Sequence, residues 1–105
     1  MMSNWYKVAT LEDIPAPGSR VVKTREGDIA LFRTTDGEVF ALRDRCPHKG
    51  GPLSQGMVSG GKVTCPLHSW NICLEDGQAV APDIGCAPPF PVKVEHGVVY
   101  LALEH

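Results

Sequence analysis

The sequence predicts an all-β protein. Turn signals recur at short intervals, no stretch sustains a 3.6-residue apolar repeat, and short β-branched or aromatic runs lie between the turns. The 105 residues include 11 glycines and nine prolines, punctuation that favours many short strands over long helices.

Taken in chain order, strands are expected over residues 5–9, 20–25, 28–33, 39–43, 62–64, 92–95 and 98–102. Glu26-Gly27, Asp36-Gly37 and His96-Gly97 fall between these runs and read as hairpin turns. Thr10-Leu11-Glu12-Asp13 has the spacing of a capping box, which predicts one helical turn after the first strand. With 43% hydrophobic residues and no repeat, linker or low-complexity segment, the chain reads as one domain, residues 1–105, with a modest core. Leu103-Glu104-His105 resembles the start of a vector-encoded extension, so His105 is given no function.

Composition excludes several classes of function. A net charge of −2 offers no reason to expect nucleic acid or an anionic membrane as a partner. No leader-like apolar segment is present, and Val98 to Leu103 is too short to span a bilayer, so a soluble, cytoplasmic protein is expected. No G-x-G-x-x-G follows a strand, so nicotinamide or flavin chemistry must reside on another chain.

Chemistry concentrates in two strings. Cys46-Pro47-His48-Lys49-Gly50-Gly51 and Cys65-Pro66-Leu67-His68-Ser69-Trp70 each present one thiolate and one imidazole. Two cysteines and two histidines suit a two-iron cluster with the cysteines on one iron and the histidines on the other. A tetrahedral zinc site uses the same donors, but zinc folds usually group a cysteine pair and then a second pair, whereas each loop here is mixed. Pro47 and Pro66 stiffen the loops, while Gly50 and Gly51 let backbone N–H groups approach cluster sulfurs.

Both strings resemble the ligand motifs of Rieske-type [2Fe-2S] proteins. The resemblance implies that Cys46 and Cys65 bind the inner iron and that His48 and His68 bind the outer one. It also implies stacked small antiparallel sheets, a cluster-binding part over about residues 44–90, and a proline-rich loop, here Pro82 to Pro91, covering the cluster. Beyond the loops, CPHKGGPLSQG, GGKVTCPLHSWN, APDIGC and FPVKVEHGVVYL, in that order and spacing, resemble the small-subunit family of assimilatory NAD(P)H nitrite reductases. That likeness implies an electron carrier in nitrite reduction to ammonium, not catalytic alone, with FAD, siroheme and a [4Fe-4S] cluster on a large partner subunit. Free-standing Rieske ferredoxins that feed aromatic-ring dioxygenases share the ligand motifs and a cysteine five residues after the second histidine, as Cys73 follows His68. Their stretch before the aromatic-Pro-Val-Lys-Val string tends to be longer and more basic than the one here. A zinc-stabilised assembly module is the third alternative.

Other residues have plainer readings. Cys73 and Cys86 are expected to be reduced and to pack as small apolar groups. Respiratory Rieske proteins carry a disulfide at the positions of Gly51 and Leu67, and hydroxyl donors at those of Trp70 and Ile72. Lacking these, the cluster is expected near the lower Rieske bound of roughly −150 mV. Lys49 is read as a surface lysine or a docking charge, Trp70 as core filling beneath its loop, and His96 as a turn residue.

Overall fold

The computed structural model describes residues 4–25, 27–45, 51–66, 70–81 and 85–103. Among the described residues ten strands, β1 Asn4–Thr10, β2 Gly18–Thr24, β3 Gly27–Arg33, β4 Val39–Arg43, β5 Met57–Ser59, β6 Lys62–Thr64, β7 Asn71–Cys73, β8 Pro89–Phe90, β9 Val92–Glu95 and β10 Val98–Leu103, form three antiparallel sheets. Their orders are β1-β10-β9, β2-β3-β4-β8 and β5-β6-β7. The all-β expectation holds among the described residues, whose only helical pieces are 3-10 turns at Leu11–Asp13 and Leu53–Gln55.

Strand β3 explains the layering. Ile29, Ala30, Leu31 and Phe32 are all fully buried, a continuous apolar run where a strand with one wet face would alternate. Ile29 and Leu31 enter one core cluster with Ala9, Val99 and Leu101 of the first sheet. Ala30 and Phe32 enter a second cluster with Val58, Val63 and Ile72 of the third. The second sheet is therefore the middle layer, with apolar surface on both faces. Each fully buried side chain of this size stabilises the fold by about 1.5–3 kcal/mol.

The hairpin expectations are met wherever they can be read. His96 and Gly97 have φ of 52° and 77°, the paired positive values of a type I′ turn, and Gly37 has φ of 90° in the β3–β4 connection. Glu26 lies outside the described residues, while Gly27 opens β3 at φ of 101°. The capping-box turn also forms: the Asp13 carboxylate accepts the Thr10 N–H at 3.0 Å, and a 3-10 turn follows.

Several bounds differ from those expected. β2 begins at Gly18 and ends at Thr24, two residues earlier than expected at its start, because its register with β3 runs from Gly18↔Arg33 to Thr24↔Gly27. Three short strands, β5, β7 and β8, were not expected. β8 begins with Pro89, and proline is tolerated there because the strand is an edge. Leu103 pairs with Asn4 at the end of β10, while Glu104 and His105 lie outside the described residues.

Candidate metal centre

Each ligand string lies in a connection between elements of the fold, the first after β4 and the second between the paired strands β6 and β7. The second joins β6 to β7 within one hairpin. Thr64 pairs with Asn71, the Thr64 hydroxyl donates to Asn71 Oδ1 at 2.8 Å, and the Cys65 N–H donates to the Trp70 carbonyl at 2.7 Å. These contacts close the stem, so the Pro66-to-Ser69 connection starts from a fixed base. Cys65 is 1% exposed and joins the core layer between the second and third sheets. It forms no disulfide.

The first string spans from β4 to the 3-10 turn Leu53–Gln55. Residues 46–50 and 67–69 lie outside the described residues, so of the four expected ligands, Cys46, His48, Cys65 and His68, only Cys65 is described. For the same reason no group of three metal-binding side chains is found among the described residues. Cys65 is nonetheless a fitting donor. A buried thiol leading a closed loop can supply a thiolate to a soft metal site, and the mixed Cys/His set suits two irons held by different donors.

The ends of the first loop are held firmly. The Asp44 N–H donates to the Asp28 carbonyl at 3.0 Å, and Asp44 Oδ1 and Oδ2 accept from Ser54 N–H and Ser54 Oγ at 2.7 and 2.8 Å. Ser19 Oγ, on β2, donates to the Ser54 carbonyl at 2.5 Å. Leu53, fully buried, drives the loop's far end into the core. Gly56 then passes over Thr64, where a methyl group would collide with the Thr64 carbonyl oxygen. The residues leading out of the first loop thus lie against those leading into the second.

Asp44, Ser54, Ser19 and Gly56 were not singled out from sequence. For three of them the only signal is position, an acid two residues before Cys46 and a serine and a glycine just beyond the loop; Ser19, on β2, has none.

The proline-rich segment is described from Gly85 onward, while Pro82, Asp83 and Ile84 lie outside the described residues. It is a pinned connection from the third sheet to the second. Ala79 N–H donates to Gly85 O, Ala87 N–H to Gly77 O, and Arg43 N–H to Pro88 O, each at 2.8–2.9 Å. Pro88 and Pro89 are exposed, and the Arg43 guanidinium stands 5.6 Å from the centre of the Phe90 ring.

Trp70 is half-buried against the core and Ile72 is fully buried within it, so both positions are occupied by packing groups. Cys73 and Cys86 are free, but Cys86 is exposed and so does not pack as a small apolar group as expected. Gln78 lies between the two, accepting the Cys73 N–H and bridging to Cys86. Two ladder spacings separate the cysteines by about 10 Å, beyond the span of a disulfide. His96 is exposed in its turn.

The Rieske [2Fe-2S] domain profile matches residues 4–91. The 3-phenylpropionate/cinnamic acid dioxygenase ferredoxin subunit of Photorhabdus laumondii is 39% identical over 99 residues, covering 92% of each chain. The ferredoxin component of naphthalene 1,2-dioxygenase/salicylate 5-hydroxylase systems from a Ralstonia species is 33% identical over 110 residues, covering 99% of this chain and all of that one. A solved candidate small subunit of an NADPH nitrite reductase superposes with a TM-score of 0.85 at 25% identity, covering 95% of this chain and 99% of that one.

Proposed function

The chain belongs to the Rieske [2Fe-2S] domain family, and from that premise we propose that it is the electron-carrying small subunit of an NAD(P)H-dependent nitrite reductase. The family's cluster is held by two cysteines and two histidines and exchanges one electron at a time. In this reading Cys46 and Cys65 hold one iron, His48 and His68 the other, and the whole chain 1–105 is one domain. Catalysis belongs to a siroheme and flavin subunit, and the protein works in the cytoplasm.

The observation carrying the choice of partner is the segment from residue 82 to residue 94. Its string Pro-Asp-Ile-Gly-Cys, followed four residues later by Phe-Pro-Val-Lys-Val, resembles the nitrite reductase small subunits. The spacing is structurally determined. Cys86 bridges Gln78, Phe90 pairs with Ala41, and only three residues lie between them. The solved candidate nitrite reductase subunit, matched over nearly its whole length, is compatible with this choice, and solved dioxygenase ferredoxins match as well, so the choice rests on the 82–94 string.

A second reading rests on a different observation. The curated relatives at 39% and 33% identity are ferredoxins of dioxygenase systems, and both exceed the 25% identity to the nitrite reductase structure. The two readings share fold, cluster and one-electron role, and differ in the protein that receives the electron. Function argued from a shared fold cannot separate them, so the partner must be tested directly.

Co-expression with a siroheme-bearing large subunit is expected to yield a complex that reduces nitrite at the expense of NAD(P)H. The docking face is placed at the two ligand loops and the exposed Pro88-Pro89 step. Lys49→Glu is expected to weaken turnover at unchanged cluster content, more so at low salt than at high. Failure to bind that subunit, together with support of a ring-hydroxylating oxygenase, would transfer the assignment to the ferredoxin reading.

A further inference from the structure

A ligand loop positions its metal only as well as its two ends are held. The first loop leaves β4 at Arg43 and returns to the core at Leu53. Next to these points, Asp44 and Ser54 are ten positions apart in sequence and joined by two hydrogen bonds, Ser54 N–H to Oδ1 at 2.7 Å and Ser54 Oγ to Oδ2 at 2.8 Å. Both carboxylate oxygens are engaged by one residue, the N–H contact at the short end of the N–H···O range and the hydroxyl contact at an ordinary O–H···O distance. Each partner is also fixed to the middle sheet, Asp44 by its own N–H to the Asp28 carbonyl and Ser54 by its carbonyl to the Ser19 hydroxyl. The four groups form a closed circuit from β3 through the loop ends to β2.

We propose that Asp44 is a positioning residue for the cluster, its carboxylate clasping the two ends of the first ligand loop and so setting where Cys46 and His48 stand relative to Cys65 and His68. The inference rests on those four residues being the ligands. Holding a loop closed before it is loaded removes conformational freedom that cluster binding would otherwise have to remove. The groups around a metal's ligands govern its affinity and electronic properties in the same manner. The side chain touches no reacting atom; it acts through Cys46 and His48.

Three variants test the clasp in the cluster-loaded protein. Asp44→Ala removes both acceptors, Ser54→Ala removes the hydroxyl donor alone, and Asp44→Asn keeps Oδ1 for the Ser54 N–H while its amide can donate to Ser54 Oγ. Cluster loss to an iron chelator is expected to quicken tenfold or more in Asp44→Ala and less in Ser54→Ala. Asp44→Asn is expected to stay within about threefold of the parent, consistent with a retained hydrogen bond. The EPR spectrum of the reduced cluster is expected to shift or broaden in Asp44→Ala and to recover in Asp44→Asn.

Thr34→Val supplies the control for general destabilisation. Thr34 is buried and its hydroxyl accepts the Glu38 N–H at 3.2 Å in the β3–β4 turn, so this variant lowers the melting temperature while leaving the EPR spectrum unchanged. An Asp44→Ala protein with parental EPR spectrum and chelation rate would overturn the clasp. So would a Thr34→Val protein with the same spectral change as Asp44→Ala. Failure of the ligand assignment would look different, because the parent protein itself would then lack the cluster or keep it when Cys46 is replaced.

Discussion

At the residue scale, short polar contacts decide what the apolar pattern leaves open. Asp13 is the clearest titratable case. Its carboxyl is held below the ordinary carboxylate value first by the Thr10 backbone N–H, then by the Thr10 hydroxyl, with Arg20 and Lys7 adding weaker attraction against a desolvation penalty. A carboxyl that binds its proton less tightly folded than unfolded stabilises the fold above its unfolded value and loses that contribution as pH falls through its folded one. Asp13→Asn is therefore expected to be less stable than the parent at neutral pH, with the two proteins' denaturation midpoints converging below about pH 4. A difference that persists or widens in acid would show that the Thr10 contact does not govern this turn. Thr10 and Asp13 were legible from sequence because a capping box is a local pattern. The Asp44–Ser54 clasp was not, because it closes nine residues of intervening loop.

At the element scale, most strands were legible, the short β6 among them, and three short ones, β5, β7 and β8, were not. β3, β4, β9 and β10 carry enough apolar or β-branched residues to declare a period, and they appear at or within a residue of their expected bounds. β5 and β7 have three residues each with one buried side chain, Val58 and Ile72, too little for alternation to register. They exist because β6 pairs with both. β8 is a two-residue pairing against β4 that a proline would ordinarily argue against.

Gly77 shows how such short elements are tied together. Its φ is 74°, and a methyl group there would collide with the Ala87 carbonyl oxygen, which is held close because the Ala87 N–H donates to the Gly77 carbonyl. Gly60, with φ of 59° and open space where a methyl would go, shares the backbone strain but not the collision. Gly60→Ala is expected to cost about 1–2 kcal/mol and Gly77→Ala distinctly more, measured by denaturant unfolding. Equal losses would mean that the connection between the third and second sheets yields without cost.

At the scale of the whole molecule, three sheets share two apolar layers, and the candidate metal centre belongs to one of them. Cys65 lies in the layer between the second and third sheets, in the same core cluster as Leu53, which ends the first loop, and Ala87, within the pinned proline-rich connection. Three segments distant in sequence thus converge on one part of the core. The likeness of the two ligand strings to one another's chemistry could be read from sequence, but this convergence depends on sheet order and could not. The family's one-electron chemistry fits such a placement, because a rigid surround keeps reorganisation small when charge changes by one unit.

The ligand assignment is tested most directly by pulsed EPR of the reduced protein after anaerobic iron-sulfur reconstitution, with iron and acid-labile sulfide counted on the same sample. Two irons and two sulfides per chain are expected, with two histidine nitrogens coupled to the cluster spin and loss of that signature or of the cluster itself in His48→Ala and His68→Ala. A colourless zinc protein, or a reduced cluster with no coupled imidazole nitrogen, would contradict the assignment of Cys46, His48, Cys65 and His68.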